Sequence, residues 1–395
     1  MGDLVQCKGF YAAGLAAGIK KNKAYDLALI YSHVPANAAG MFTRNRVSAA
    51  PVVLSKERVG KGVAQAIVVN AGNANCCNGQ QGMENARAMT AGVASHLKLD
   101  NEQVLVASTG VIGAPLPIEK IEAALPDLVG ALRIDGFEDF ARAIMTTDTV
   151  PKLVARQGDI DGRSFSLVAA AKGAGMIRPD MATMLCFVCT DAAVSADLLK
   201  QMLAPAVNRS LNQITIDGDT STNDTVFLMA NGMSGVTIQT DDQRQVFQRL
   251  LDDLLLEVAR RLVKDGEGVT KVVDIKVVGA ASDGHAFRIA DTVAHSPLVK
   301  TAFFGEDANW GRIMGALGRA GVEVEPDRID IAFDTVQMVQ GGQGCGQERE
   351  ARVTAVMKQP EFTVSIDLHM GHGQASIITC DFSIDYVKIN ADYRS

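Results

Sequence analysis

The segment from Lys172 to Leu185 carries the residues of this chain with the most distinctive chemistry. Gly173 and Gly175 permit sharp backbone turns, Pro179 fixes φ, and the small Ala182 precedes Thr183 where a strand begins. Such a geometry suits an internal nucleophile. A threonine hydroxyl is too weakly acidic to attack unaided, but chain cleavage before it would leave it beside its own free α-amine, which can serve as the base. The same residues also describe a plain Gly-Pro loop leading into a strand, and local physics leaves both readings open.

Other segments are less specific. Thr109-Gly110 follows the β-rich run Val104 to Ala107, where hydroxyl and N–H donors could meet a tetrahedral oxyanion; an ordinary strand-to-loop turn has the same composition. Glu267 stands between Gly266 and Gly268 in what also reads as a surface hairpin. Asp217, Asp219 and Asp224 are the carboxylate types that hold Ca²⁺ or Mg²⁺, yet they miss the twelve-residue loop spacing and its terminal Glu. That run is read as a polar loop lining the active-site region. His369 and His372 lack a third ligand at recognisable spacing. No metal or cofactor is expected. Gly341, Gly342, Gly344 and Gly346 resemble a dinucleotide fingerprint, but Gln347 to Ala351 leads into the β-rich Val353 to Val356 with no helix pattern behind it, so a hairpin or mobile loop is expected.

The elements that must position these groups alternate along the chain. Strands are expected at Leu27 to Tyr31, Ala66 to Val69, Val104 to Ala107, Phe165 to Ala170, Met184 to Thr190 and Thr225 to Ala230. Helices are expected at Met83 to Leu97, Ile118 to Leu132, Ala196 to Leu211 and Gln243 to Val263. The last is the clearest, with Leu250, Leu251, Leu254, Leu255, Val258 and Leu262 spaced by three and four. Further on come a strand at Val272 to Val278, a helix at Ser296 to Phe304, and strands at Arg328 to Phe333, Phe362 to Leu368 and Ala375 to Asp381. The fold class is therefore α/β or α+β, with mixed β-sheets and flanking helices.

Composition narrows the function classes. The chain has 395 residues, 38 Lys+Arg against 45 Asp+Glu and a net charge of -7, so it carries no cationic excess for a nucleic-acid backbone or an anionic membrane. Its apolar runs are far shorter than the roughly 18 to 20 residues that cross a bilayer. No basic, apolar leader precedes Gln6, and a cytoplasmic protein is expected. The seven cysteines are scattered and expected to be reduced; Cys186 and Cys189 lie inside a strand pattern and read as core.

The segment Lys172 to Leu185, with Phe187 and Thr190-Asp191-Ala192, resembles the self-cleavage signature of the ornithine acetyltransferase family, also called glutamate N-acetyltransferase. The resemblance runs almost end to end. It includes Gly14 to Lys20, Ala38 to Asn45, Asn70 to Asn75, Ser108 to Gly113, Met145 to Thr149, Asp217 to Thr225, Asp265 to Gly268 and Ile389 to Ser395.

It implies the DmpA/ornithine acetyltransferase-like fold and cleavage between Ala182 and Thr183, giving an alpha chain of residues 1–182 and a beta chain of residues 183–395 with Thr183 as nucleophile. Thr109 and Gly110 become the oxyanion hole. Lys172, Glu267, Asn390, Ser395, Thr183 and one of Thr146 and Thr147 become substrate contacts, with Lys172 suited to an α-carboxylate and Glu267 to the ornithine ammonium. Family members commonly end in Thr, and Ser395 keeps the hydroxyl. The implied reaction moves acetyl from N²-acetyl-L-ornithine to L-glutamate in arginine biosynthesis, in an assembly of two alpha and two beta chains. Whether acetyl-CoA also donates is left open by the residues. A hydrolytic N-terminal-nucleophile amidase or aminopeptidase, and a non-catalytic metabolite-binding protein, are the rival readings.

Overall fold

The computed structural model describes residues 6–178 and 184–392. The chain forms two compact units, residues 1–212 with 219–262, and residues 213–218 with 263–395.

Among the described residues, the first unit is built on eight strands: β1 (Phe10–Leu15), β2 (Leu27–Phe42), β3 (Val63–Asn73), β4 (Val104–Val111), β5 (Lys152–Ile160), β6 (Arg163–Lys172), β7 (Leu185–Thr190) and β8 (Thr225–Ala230). They run in the order β4-β3-β2-β8-β7-β6-β5, with β1 paired to β2. The pairs β3/β4 and β7/β8 are parallel and the others antiparallel, so the sheet is mixed as expected. β2 is far longer than its expected first turn of sequence, because a register shift between Tyr31 and Ala36 lets its second half leave β1 and pair with β8.

Alternation along β2 and β3 explains how the sheet is buried on both faces. Leu27, Leu29, Ala66 and Val68 enter one core with Met89 and Val93 of the helix Gly79–Leu97. Ala28, Ile30, Ile67 and Val69 enter another with Phe140, Phe187 and Phe227. The Phe187 ring meets Phe140 edge-on at 5.3 Å and Phe227 at 6.0 Å. Cys186 and Cys189 are buried in β7, and burial pushes the Cys186 thiol up to about 12. Among the described residues all the cysteines are free thiols.

The second unit carries β9 (Val272–Ala280), β10 (Asp330–Phe333), β11 (Val336–Gln340), β12 (Gln343–Gly344), β13 (Glu361–Asp367) and β14 (Gly373–Cys380), in the order β12-β11-β10-β13-β9-β14. Its glycine run is a two-residue hairpin turn: Gln340 faces Gln343, and Gly341 and Gly342 take φ of +54° and +75°. Behind it, contrary to the sequence expectation, Gln347–Met357 is a helix. Val353 and Val356 suggested a strand, but Val353 and Met357, four apart, are the pair that this segment buries, and that is a helical face. The dinucleotide reading fails because the glycines form a hairpin. No helix among the described residues is long and apolar enough to cross a membrane.

Phe187→Ala is expected to lower the stability of the first unit by about 3 to 5 kcal/mol, since it removes a ring enclosed by two others. Chemical denaturation measures this, and a loss under about 1 kcal/mol would contradict the packing described.

Candidate active site

The site in the first unit lies where β4 and β6 end. Thr109 and Gly110 do not form a turn after a strand, as expected; they continue β4, opposite Ala71 and Gly72 of β3. A register shift at Gly72 and Asn73 admits this. Gly110 has φ of +130°, and a Cβ on it would lie 2.3 Å from the Gly72 carbonyl carbon, so only glycine fits.

Asparagine side chains support this end of the sheet. Asn70 accepts from the Ser108 hydroxyl at 2.5 Å and donates to the Asn73 carbonyl at 2.9 Å. Asn223 donates to the carbonyls of Ala74 at 2.7 Å and Ser108 at 2.8 Å. These amides hold by side chain a stretch that the bulge removes from regular pairing.

Lys172, the last residue of β6, is 3% exposed. Its Nζ donates to the Thr146 hydroxyl at 2.6 Å and the Thr109 hydroxyl at 3.3 Å. A hydroxyl that accepts from an ammonium must direct its own proton elsewhere. Lys172 therefore orients two O–H donors as well as supplying charge. Of the two candidate threonines, Thr146 is the one brought to Lys172, while Thr147 is half-buried beside it.

Asp148 organises this cluster, a role the sequence reading did not assign. Its side chain is fully buried. Oδ1 accepts from Lys152 Nζ at 2.6 Å and the Gly173 N–H at 2.7 Å. Oδ2 accepts from the Thr146 N–H at 3.0 Å and lies 3.8 Å from Lys172 Nζ. Burial raises the carboxyl's pKa, but the Lys172 and Lys152 ammoniums outweigh it and hold it well below the ordinary carboxylate range. Lys20 is a further cation. Burial lowers its pKa, with Asp26, Lys172 and Asp148 within electrostatic reach. The Lys20 backbone is fixed by Asp26, which accepts the Lys20 N–H at 2.8 Å.

In the second unit Glu267 is buried and accepts from Asn390 Nδ2 at 2.8 Å. Asn390 belongs to the helix Ile384–Asp392. Gly268 lets that helix approach, since a Cβ there would lie 2.4 Å from the Tyr386 nitrogen. Asp217 falls in this unit, whereas Asp219 and Asp224 fall in the first. Ala182, Thr183 and Ser395 lie outside the described residues.

The ArgJ family pattern matches residues 11–395 of this chain. The arginine biosynthesis bifunctional protein ArgJ of Geobacter sulfurreducens is 52% identical over 390 residues, covering 98% of this chain and 99% of that one. Its namesake from Desulfotalea psychrophila is 49% identical over 393 residues, covering 99% and 100%. The chain belongs to the ArgJ family. It is thus an acyltransferase of arginine biosynthesis, as its likeness to the ornithine acetyltransferases led us to expect. A crystal structure of an ArgJ protein from Bacillus halodurans is 39% identical with a TM-score of 0.50, covering 53% of this ArgJ-family chain and 99% of the solved one.

Asp148→Asn should destabilise the first unit by about 3 to 5 kcal/mol, because it leaves Lys152 buried without its carboxylate. The wild-type carboxyl titrates lower in the folded chain than in the unfolded one, so its contribution is complete above the ordinary carboxylate pKa of about 3.9 and fades as pH falls below it. Melting temperatures of the two proteins should therefore differ by a constant amount from about pH 5 to pH 8 and converge in acid. A difference that grew in acid would refute the assignment.

Proposed function

We propose that this chain transfers the acetyl group of N²-acetyl-L-ornithine to L-glutamate through an acetyl ester on Thr183. Chain cleavage between Ala182 and Thr183 makes the nucleophile: the Thr183 hydroxyl attacks the Ala182 carbonyl, the C–N bond breaks, the freed nitrogen takes the proton, and water hydrolyses the resulting ester. In turnover the Thr183 hydroxyl attacks the acetyl carbonyl and its proton passes to the α-amine. The oxyanion is met by the Thr109 hydroxyl and the Gly110 N–H, and ornithine leaves with the proton on its amine. Glutamate's α-amine then attacks the ester, yielding N-acetyl-L-glutamate and free Thr183.

The observation that carries this reading is the contact of Lys172 with the Thr109 and Thr146 hydroxyls at the end of β6, eleven residues before the proposed nucleophile. With Lys172 donating to it, the Thr109 hydroxyl turns its own proton away from Lys172, where an incoming oxyanion could accept it. Lys172 is the proposed partner of the α-carboxylate that both amino acids share, and the family resemblance adds Thr183, Glu267, Asn390, Ser395 and Thr146 or Thr147 as substrate contacts. The relatives' shared designation as bifunctional supports a second activity, to which the proposal assigns acetyl-CoA as a further donor to glutamate. Two copies of each fragment would form the assembly, in the cytoplasm.

Purified protein should contain two fragments, the second beginning Thr183-Met184-Leu185. Thr183→Ala should yield one intact, inactive chain and Thr183→Ser a cleaved one. Cleavage of the alanine variant at the same bond would sink the nucleophile assignment. In a separate assay, acetyl-CoA and glutamate should give N-acetylglutamate; none formed while acetylornithine reacts would limit the enzyme to one donor.

A further inference from the structure

Asp224 is a buried acid that the mechanism above does not use. It directly precedes β8, is 1% exposed, and its Oδ1 accepts from the Met184 N–H at 3.1 Å. That nitrogen belongs to the peptide bond joining Met184 to Thr183. The Met184 carbonyl in turn accepts from the Thr225 N–H at 3.1 Å, so Met184 is gripped on both sides by consecutive residues of one segment. The segment is itself anchored: the Asp224 carbonyl accepts from the Thr43 N–H at 3.0 Å, and Asn223 holds the Ser108 carbonyl beside Thr109.

The second carboxyl oxygen, Oδ2, is buried and has no hydrogen-bond partner among the described residues. Leaving such a group unsatisfied costs about 1 to 3 kcal/mol, so packing alone does not explain an acid here. Burial pushes the carboxyl's pKa well above the ordinary value, against the opposing pull of the Met184 N–H, the Thr43 hydroxyl, Lys172 and the Ser221 hydroxyl.

We infer that Asp224 is a positioning residue for the proposed nucleophile, holding through the Met184 N–H the peptide bond that follows Thr183. This rests on the proposed role of Thr183. One grip would serve both chain cleavage and acetyl transfer, because both need the same hydroxyl aimed at a carbonyl.

Asp224→Asn keeps an acceptor oxygen; Asp224→Ala removes both oxygens. In Asp224→Ala, cleavage and kcat of the cleaved fraction should fall by about tenfold to a hundredfold, as misplaced reacting groups do, with KM little changed. In Asp224→Asn both rates should return to within about threefold of wild type, short of the tenfold step that 1.36 kcal/mol of barrier gives. Wild-type rates in a folded alanine variant, or an asparagine variant as slow as alanine, would overturn the inference. Should the alanine variant not fold, the asparagine variant decides on the same criterion. Thr183→Ala run alongside separates the two claims. If it blocks cleavage while both Asp224 variants behave as wild type, only the Asp224 role falls; if it cleaves normally, the nucleophile reading falls instead.

Discussion

One buried carboxylate holds the first unit's site together. Two ammonium groups, Lys152 and Lys172, are removed from water at the ends of β5 and β6, and each would face a desolvation cost of several kcal/mol without a partner. Asp148 offsets this for both, and it also accepts the N–H groups of Thr146 and Gly173. The consequences spread outward. Fixing Lys172 fixes the direction of the Thr109 and Thr146 hydroxyls; fixing Gly173 sets where the chain leaves β6 toward Thr183.

The sheet explains how a chain could be cut beside its active centre and remain whole. β6 ends at Lys172 opposite Leu185, the first residue of β7, so the segment carrying Thr183 joins two antiparallel neighbours. β8, from beyond the expected cut, pairs with β2 from before it. The two fragments would thus share one sheet, with Phe187 and Phe227 of the second packed in a core with Phe140 of the first. The compact units divide the chain elsewhere, near residues 212 and 262, because contacts follow the sheets and not the peptide bond before Thr183.

Much of this was legible in the sequence where one periodicity dominated. The helix Asp241–Lys264 announced itself by leucines at three and four, and β8 was read to the residue. The second half of β2 was not legible, because Pro35, Asn37 and Gly40 dilute its pattern and its partner β8 lies far along the chain. Val353 and Val356 misled through strand propensity where helical spacing won. At the site, Thr109, Lys172 and Glu267 could be named from family resemblance alone. Asp148 was hidden because an aspartate between threonines looks like any polar turn, and only the fold shows that Lys152 and Lys172 converge on it. The pairing of Asn390 with Glu267 likewise depends on a helix at the chain's end, where sequence suggests fraying.

The most direct test of the account is to mix the cleaved enzyme with N²-acetyl-L-ornithine without glutamate, quench, digest and sequence the modified peptide by mass spectrometry. The account predicts a single acetyl group on the hydroxyl of Thr183, released as N-acetyl-L-glutamate when glutamate is added. An unmodified Thr183 under conditions of full turnover, or acetyl carried on another residue, would contradict it.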